Sequence, residues 1–512
     1  MGEQPKFAEC LSAQRAYAEM SSRNPSSGLY VPEAFVRGIR NIGYKSNVEA
    51  IAELIDNSIQ AYSERIDLVF DFAKGGSASK PTQLAIMDNG HGMDPGMLRL
   101  AMMWGGTHRE NDRSGLGRFG YGLPCATVSI GRRFRIYSKV LDGKIHGVTL
   151  DLDLLDQGQY RNLEGEITVP PALPVDLPDF LCNAIASNYP NGWTSGTIVV
   201  IDKLDRLDWT TSTGLRRNLL RHFGVAYHKL LRATAIYIDG EPVRPIDPLF
   251  LSPEGELHSL DDDRANALES VVMKIQADAV FGHSGEVILR YAWLPPTFGA
   301  TDKSRDATGI NANARFPILK QYHGIVFSRN GRIVDVQSRT PWTTFINNDR
   351  YIRVEIEFSA SLDEAFGVTT SKQQISVSND MWDRLGAAGL SKAIEHLRGK
   401  VRLAKAERQK RHPSQALAKG PTGLRAPFSG TDATEPVESD TRQTNRSIKA
   451  GELGGIVSDM IDRLGASAAL QLLVSNIVRR MSVADQRASF EYEQLLRDWA
   501  AASLLLTDAP SE

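Results

Sequence analysis

Residues 46–61 read SNVEAIAELIDNSIQA, and the spacing within them predicts a helix with two unlike faces. Ser46 followed by Glu49 makes a capping box, which fixes where the helix begins. Ile51, Leu54, Ile55 and Ile59 recur at helical spacing and are expected to pack on a core. Glu53, Asn57 and Gln60 fall at i, i+4 and i+7 on the opposite side. A carboxylate and an amide one turn apart can share a chemical task, although an ordinary amphipathic helix with a wet polar face has the same pattern.

Two later stretches bear on that choice. Leu84-Ala85-Ile86-Met87 reads as a short buried strand that ends on Asp88, in the turn Asp88-Asn89-Gly90-His91-Gly92-Met93. Gly90 and Gly92 allow backbone angles and close approach that a side chain would block. A carboxylate held at such a strand end can accept a charge-assisted hydrogen bond from an exocyclic amine; a plain Asp-Asn-Gly connection is the other reading. The glycine run Gly117-Arg118-Phe119-Gly120-Tyr121-Gly122 opens a helical stretch over residues 121–130, and bare N–H groups at a helix start can cradle phosphate. It is not a P-loop, since no Gly-Lys-Ser/Thr follows. Nor is it a dinucleotide fingerprint, since no strand runs directly into it.

Glu53-x-x-x-Asn57, Asp88-x-Gly90-x-Gly92 and Gly117-x-x-Gly120-x-Gly122, in that order, resemble the N, G1 and G2 boxes of the GHKL ATPases, the superfamily of DNA gyrase, the large heat-shock chaperones, histidine kinases and MutL. The stretch AIAELIDNSIQA, the compact lid and the later segments resemble the MORC-like branch most closely. The resemblance implies ATP and Mg²⁺ as ligands. It puts water activation on Glu53, the metal on Asn57 and adenine on Asp88. Gly90, Gly92 and Met93 belong to the same turn, and Gly117, Gly120, Tyr121 and Gly122 wrap the phosphates. Gly196-Thr197, heading an apolar strand over residues 198–201, resembles the family position that closes the adenine water network, which adds Thr197. Gln60 stands where many members carry Asp, and Leu123-Pro124-Cys125 where several place a Lys, Phe or Ser. Glu53 favours a hydrolase over a histidine kinase, because the kinases usually lack that glutamate. No His-containing helical pair precedes the pocket.

Farther along, the pattern is that of a mixed α+β domain: a helix near 213–233, a hairpin at Tyr237-Ile238-Asp239-Gly240-Glu241, and strands near 271–275 and 287–293. Residues 351–359 alternate with a period of two, Ile352, Val354, Ile356 and Phe358 inward and Arg353, Glu355 and Glu357 outward, which predicts a half-buried strand. The loop containing Lys372 resembles the second-domain loop through which MORC-like, MutL-like and gyrase-like proteins return a lysine to the γ-phosphate. That resemblance assigns Lys372 a catalytic part alongside Glu53; one exposed lysine among many is the plainer reading.

The chain has 512 residues, 42% of them hydrophobic, and a formal net charge of -2, which suits about three domains with real cores. Its cysteines, Cys10, Cys125 and Cys182, have no paired spacing, so neither a disulfide framework nor a zinc cluster is expected and a reducing, cytoplasmic setting fits. No leader and no membrane-crossing run is expected. A helix expected from 380 to about 408 ends in a basic run, 398–412, with seven Lys or Arg against one Glu, which suits either nucleic acid or a solvated face. Residues 413–449 read as a flexible linker and 450–512 as a helical module.

The expected architecture is therefore α+β: a lead-in over 1–45, a Bergerat-type α/β sandwich over 46–205, a βαβ-type transducer domain over 206–379, a basic helix over 380–412, the linker and the helical end. The expected function is a Mg²⁺-dependent ATPase whose cycle gates a homodimer, acting on DNA or in a DNA-linked or defence process. A chaperone of the large heat-shock kind, a nucleotide-gated protein scaffold and a nonhydrolysing nucleotide sensor are the rivals.

Overall fold

The computed structural model describes residues 32–411 except 43, 45, 74, 76–78, 107–119, 164–165, 277–283 and 369–374. Gly117, Lys372, the linker and the C-terminal helical segment lie outside the described residues. Chain contacts separate Met1–Pro421 from Thr422–Glu512, and every element below belongs to the first unit.

Its first layer runs α1 (Pro32–Ile42), α2 (Asn47–Gln60), β1 (Arg65–Asp71), β2 (Gln83–Asp88), α3 (Pro95–Ala101), α4 (Gly122–Ile130), β3 (Gly131–Lys139), β4 (His146–Asp151), α5 (Leu152–Asp156), β5 (Leu173–Pro174), α6 (Asp179–Asn188), β6 (Gly196–Leu204), α7 (Ser212–Ala226), β7 (Ala235–Ile238) and β8 (Glu241–Pro242). The strands form one sheet in the order β5-β4-β3-β6-β2-β1-β7-β8. Its neighbours are antiparallel apart from β1 and β7. Because side chains alternate across a strand, Leu84 and Ile86 join the core beneath α2, α4 and α7, while Ala85 and Met87 join Leu181, Tyr189 and Trp193 around α6. Both faces are covered, which is why β2 reads as an unbroken apolar run. The sheet extends beyond residue 205: the hairpin β7–β8, placed by sequence in the second domain, adds its edge, turning through Asp239 and Gly240 with φ of 51° and 80°.

A second layer holds β9 (Asn266–Ala267), β10 (Val271–Ile275), β11 (Gly285–Trp293), α8 (Phe316–Gln321), β12 (Ile325–Arg329), β13 (Arg332–Gln337), β14 (Ile352–Phe358), α9 (Asn379–Ala387) and α10 (Leu390–Arg411). The sheet order is β10-β11-β14-β12-β13, with β9 on β11. Strands β12 and β14 are parallel and joined through β13 and a 3-10 turn, Asn347–Tyr351. The long helix expected from 380 to 408 is two helices, because the chain breaks at Gly389, whose φ of 92° suits glycine.

The half-buried reading of β14 needs correction. Ile352, Val354, Ile356 and Phe358 do enter the core, but Arg353 and Glu355 are also buried, at 0% and 2% exposure. Their face is covered by the segment after α7 and by Phe250. Lys229 pairs with Glu355 and Glu357, Arg290 pairs with both as well, Ser328 donates to Glu355, and the Arg353 guanidinium lies 5.7 Å from the Phe250 ring centroid. Burial lowers the Arg353 pKa to about 9. Burial acts to raise the Glu355 carboxyl, but Lys229, Ser328 and Arg290 outweigh it and hold the carboxyl below its ordinary 4.5.

A depressed folded pKa gives stability above the unfolded value that is lost as pH falls through the folded one. Lys229→Met should therefore cost about 1–3 kcal/mol in urea unfolding at neutral pH, with Arg290 still in place. The wild-type advantage should be complete above pH 4.5 and shrink as pH drops below it, a trend that unfolding curves across that range would reveal.

Candidate active site

Helix α2 begins as its sequence requires, with the Ser46 hydroxyl accepting from the Glu49 N–H at 3.3 Å. Its polar side is not wet. Glu53 is 4% and Asp56 0% exposed, and Ser58 is buried as well. Ile51, Leu54 and Ile55 face the core as expected, with Ile59 packed at its margin. Asn57 and Gln60 are half-buried. Helix α4 packs alongside, and its first residue, Gly122, has no room for a side chain because a Cβ there would collide with the Glu53 carboxylate. The glycine therefore lets Glu53 sit against the start of α4.

Asp88 is held at the end of β2 by donors from separate elements. Ser58 Oγ donates to Oδ2 at 2.9 Å, and the Gly90 and Thr197 N–H groups donate to Oδ1 at 2.9 and 3.1 Å. Trp193 Nε1 donates to the Asp88 carbonyl at 2.7 Å. Burial raises the Asp88 pKa, against the lowering effect of Gly90, Ser58 and Thr197. Thr197 is tied in further: its hydroxyl lies 3.0 Å from Ser138 Oγ, which accepts from the Met93 N–H at 2.8 Å and donates to the Gly196 carbonyl. Gly92, with φ of 71°, leaves no space for a Cβ beside the Lys139 carbonyl. The expected Asp88, Gly90, Gly92, Met93 and Thr197 thus meet in one hydrogen-bonded corner, while the ring of exposed His91 lies 2.6 Å from the Gly92 carbonyl and its backbone N–H donates to the Ala61 carbonyl at 3.1 Å.

The described end of the glycine segment, Gly120 to Gly122, leads into α4. Gly120, with φ of 69°, comes so close to Gly105 and Gly106 that a Cβ would lie 2.9 Å from their carbonyl carbons. Its carbonyl accepts from the Gly105 N–H at 3.1 Å, and Tyr121 is exposed. Cys125, one turn into α4, has its pKa pushed up to about 11 by burial, eased by Trp104 and raised again by Glu53.

Sequence reading missed four side chains here. Tyr44 is held above its usual pKa by burial and by Glu53. Asp56 accepts from the Tyr227 hydroxyl at 2.9 Å and pairs with Arg332 Nη1 at 2.7 Å. Burial opposes the Arg332 charge, yet Asp56 carries its pKa above the ordinary value. A signal for Arg332 existed: Asn330-Gly331, with φ of 48° and 84°, is the two-residue turn that joins β12 to β13, and Arg332 is the residue that leaves it. Nothing local marks Tyr44, Asp56 or Tyr227.

The family model described as "Histidine kinase-, DNA gyrase B-, and HSP90-like ATPase" matches residues 44–172. That span holds α2, the Asp88 turn and the start of α4. Residues 44–172 form a GHKL ATPase domain. The relatives that it resembles are MICRORCHIDIA and MORC proteins. "Protein MICRORCHIDIA 6" of Arabidopsis thaliana is 27% identical over 175 residues, 33% of this chain and 25% of that protein. "Protein MICRORCHIDIA 7" of the same plant is 27% identical over 165 residues, covering 31% and 22%. "ATPase MORC2B" of Mus musculus is 34% identical over 91 residues, covering 18% and 9%. The matched stretch spans about a quarter or less of these relatives. Among the described residues no helix is long and apolar enough to cross a membrane.

The Asp88 corner makes a backbone demand that can be measured without ligand. Gly92→Ala should destabilise the fold by about 1–3 kcal/mol in urea unfolding, from the positive φ and the blocked Lys139 carbonyl. Gly96→Ala, in open space on α3, should be neutral or stabilising by up to about 1 kcal/mol.

Proposed function

We propose that the chain binds and hydrolyses ATP with Mg²⁺, and that the nucleotide cycle gates its dimerisation. The observation that carries this reading is that one helix, α2, bears both Glu53, lodged against Gly122, and Ser58, which helps hold the buried Asp88 carboxylate. Asp88 presents an acceptor to the adenine amino group, and Thr197 and Ser138 extend that polar edge. Glu53, near the start of α4, takes the proton from a water whose oxygen attacks the terminal phosphorus as the bond to ADP breaks. The helix start and its glycines offer N–H groups to the phosphates.

Of this chain's residues Asn57, half-buried one helical turn from Glu53, would hold Mg²⁺ as a single amide, with phosphate oxygens and water completing the shell. When bound, it neutralises phosphate charge. Lys372 remains our candidate for a second contact to the terminal phosphate. DNA is the client favoured, in a cytoplasmic DNA-linked or defence role. Part of the basic helix end is committed within the fold, Arg398 to Asp349 and Arg408 to Asp306, while Lys400, Arg402 and Lys410 stay exposed. Salt-dependent DNA binding tests that choice against a protein client.

Glu53→Ala should still bind Mg·ATP yet turn it over about 10²–10⁴-fold more slowly. Normal turnover by the folded variant would remove Glu53 from the chemistry.

Asp88→Asn separates binding from stability. A carboxyl whose pKa is raised on folding adds stability only below its unfolded value, 3.8, and loses it as pH rises. At neutral pH the nucleotide-free Asn variant should therefore melt no lower than wild type. Its ATP affinity should nonetheless fall by the 1.5–3 kcal/mol of a charge-assisted hydrogen bond, about 10–150-fold in calorimetry. Wild-type affinity would sink the adenine assignment.

A further inference from the structure

The side of α2 that carries Asp56 is gripped by two residues from outside the ATP-binding span. The Tyr227 hydroxyl lies 2.9 Å from both the Ala52 carbonyl and Asp56 Oδ1. Arg332 Nη1 lies 2.7 Å from Asp56 Oδ2, with 9% and 0% of the two side chains exposed. The Arg332 guanidinium also sits 5.7 Å from the Tyr227 ring centroid. These are buried charges, and their geometry is fixed on both sides.

On the Arg332 side, the two-residue turn at Asn330 and Gly331 sets the register of β12 with β13. Asn330 Oδ1 accepts from the Ala360 N–H at 3.0 Å, and Gly331 packs on Leu230. The hairpin is thus anchored in the second sheet and against the segment after α7. On the other side, Asp56 lies one residue from Asn57 and three from Glu53, so any shift of Asp56 along the helix carries both with it.

We propose that Arg332 is a positioning residue for the ATP site: through Asp56 it ties the second sheet to α2 and holds Glu53 and Asn57 in register with the phosphates. The proposal rests on the function given above. A cation brought from another domain to one helix turn makes the arrangement of that turn depend on how the hairpin is seated. Seating of the second sheet and readiness of the pocket then become one event.

The test uses Arg332→Met, Arg332→Lys, Asp56→Asn and the double variant Asp56→Asn/Arg332→Met. Removing one partner alone strands a buried charge and threatens the fold, whereas removing both leaves neutral groups of similar size. The double variant is therefore the deciding protein, with its melting temperature recorded first. Turnover and calorimetric binding of a nonhydrolysable ATP analogue, with and without Mg²⁺, are then compared with wild type. We expect the folded double variant to keep Mg²⁺-free affinity within about threefold. It should lose about tenfold of the affinity gained from Mg²⁺ and turn over about 10–100-fold more slowly. Arg332→Lys, which keeps the charge, should recover part of both.

A double variant that melts like wild type and matches it in turnover and in the Mg²⁺-dependent gain would overturn the proposal, leaving the pair a structural contact. Equal loss of affinity with and without Mg²⁺ would overturn it too, since that marks a collapsed pocket. A wild type that binds no nucleotide fails the ATPase reading itself, which is a different result from a binding-competent wild type with an unaffected double variant.

Discussion

A buried polar group must find a partner, and α2 carries Glu53, Asp56 and Ser58 into an almost fully buried position. Much of the described architecture supplies those partners. Ser58 reaches Asp88 at the end of β2, and Asp56 is met by Tyr227 from the end of α7 and by Arg332 from β13. Glu53 is given its space by the missing side chain of Gly122. The sheet order brings the end of β2 beside the start of β6, so the Asp88 carboxylate also meets the Thr197 N–H. One helix is thereby joined to both strand ends of the pocket and to the second sheet.

The site is built at a cost in stability. Asp88 is buried with its pKa raised, so its ionised form is disfavoured by surroundings that an adenine amine would improve. Gly92 and Gly120 hold positive φ where backbone from another segment comes too near for a Cβ. Such features persist because the neighbouring structure over-determines them. For Asp88 and Gly92 that structure is the paired ends of β3 and β6, linked through Ser138 and Thr197; for Gly120 it is the Gly105-Gly106 segment.

The parts of the fold that sequence disclosed are those in which one period governs one environment. The capping box placed the start of α2, the apolar run located β2, and alternation found β14 within a residue of its ends. What it could not disclose is which polar faces meet another part of the chain. Glu53 and Asp56 at helical spacing, and Arg353 and Glu355 at strand spacing, look like wet faces because local pattern records polarity and not its partner. Asp56 lies 276 residues from Arg332, and Glu355 lies 126 from Lys229, so no local window contains either pair. The Asn330-Gly331 turn signal was passed over, and only the assembled sheet shows that the residue after it, Arg332, meets the pocket helix.

Asp56 and Glu355 both meet partners where the end of α7 adjoins the second sheet, and this seam is partly ionic. Val225, Ile246 and Phe250 join the apolar core of the second sheet, and two ionic groups accompany them: Asp56 with Arg332, and Lys229 with Glu355, Glu357 and Arg290. An apolar contact tolerates small slides, because area changes gradually with displacement. A buried ion pair does not: separating its partners leaves desolvated charge uncompensated, so it is favourable only when closely seated. Two such ionic groups in one seam favour fully seated or substantially opened arrangements over intermediate ones. Since one of them ends on the helix that bears Glu53 and Asn57, the same discreteness is imposed on the pocket.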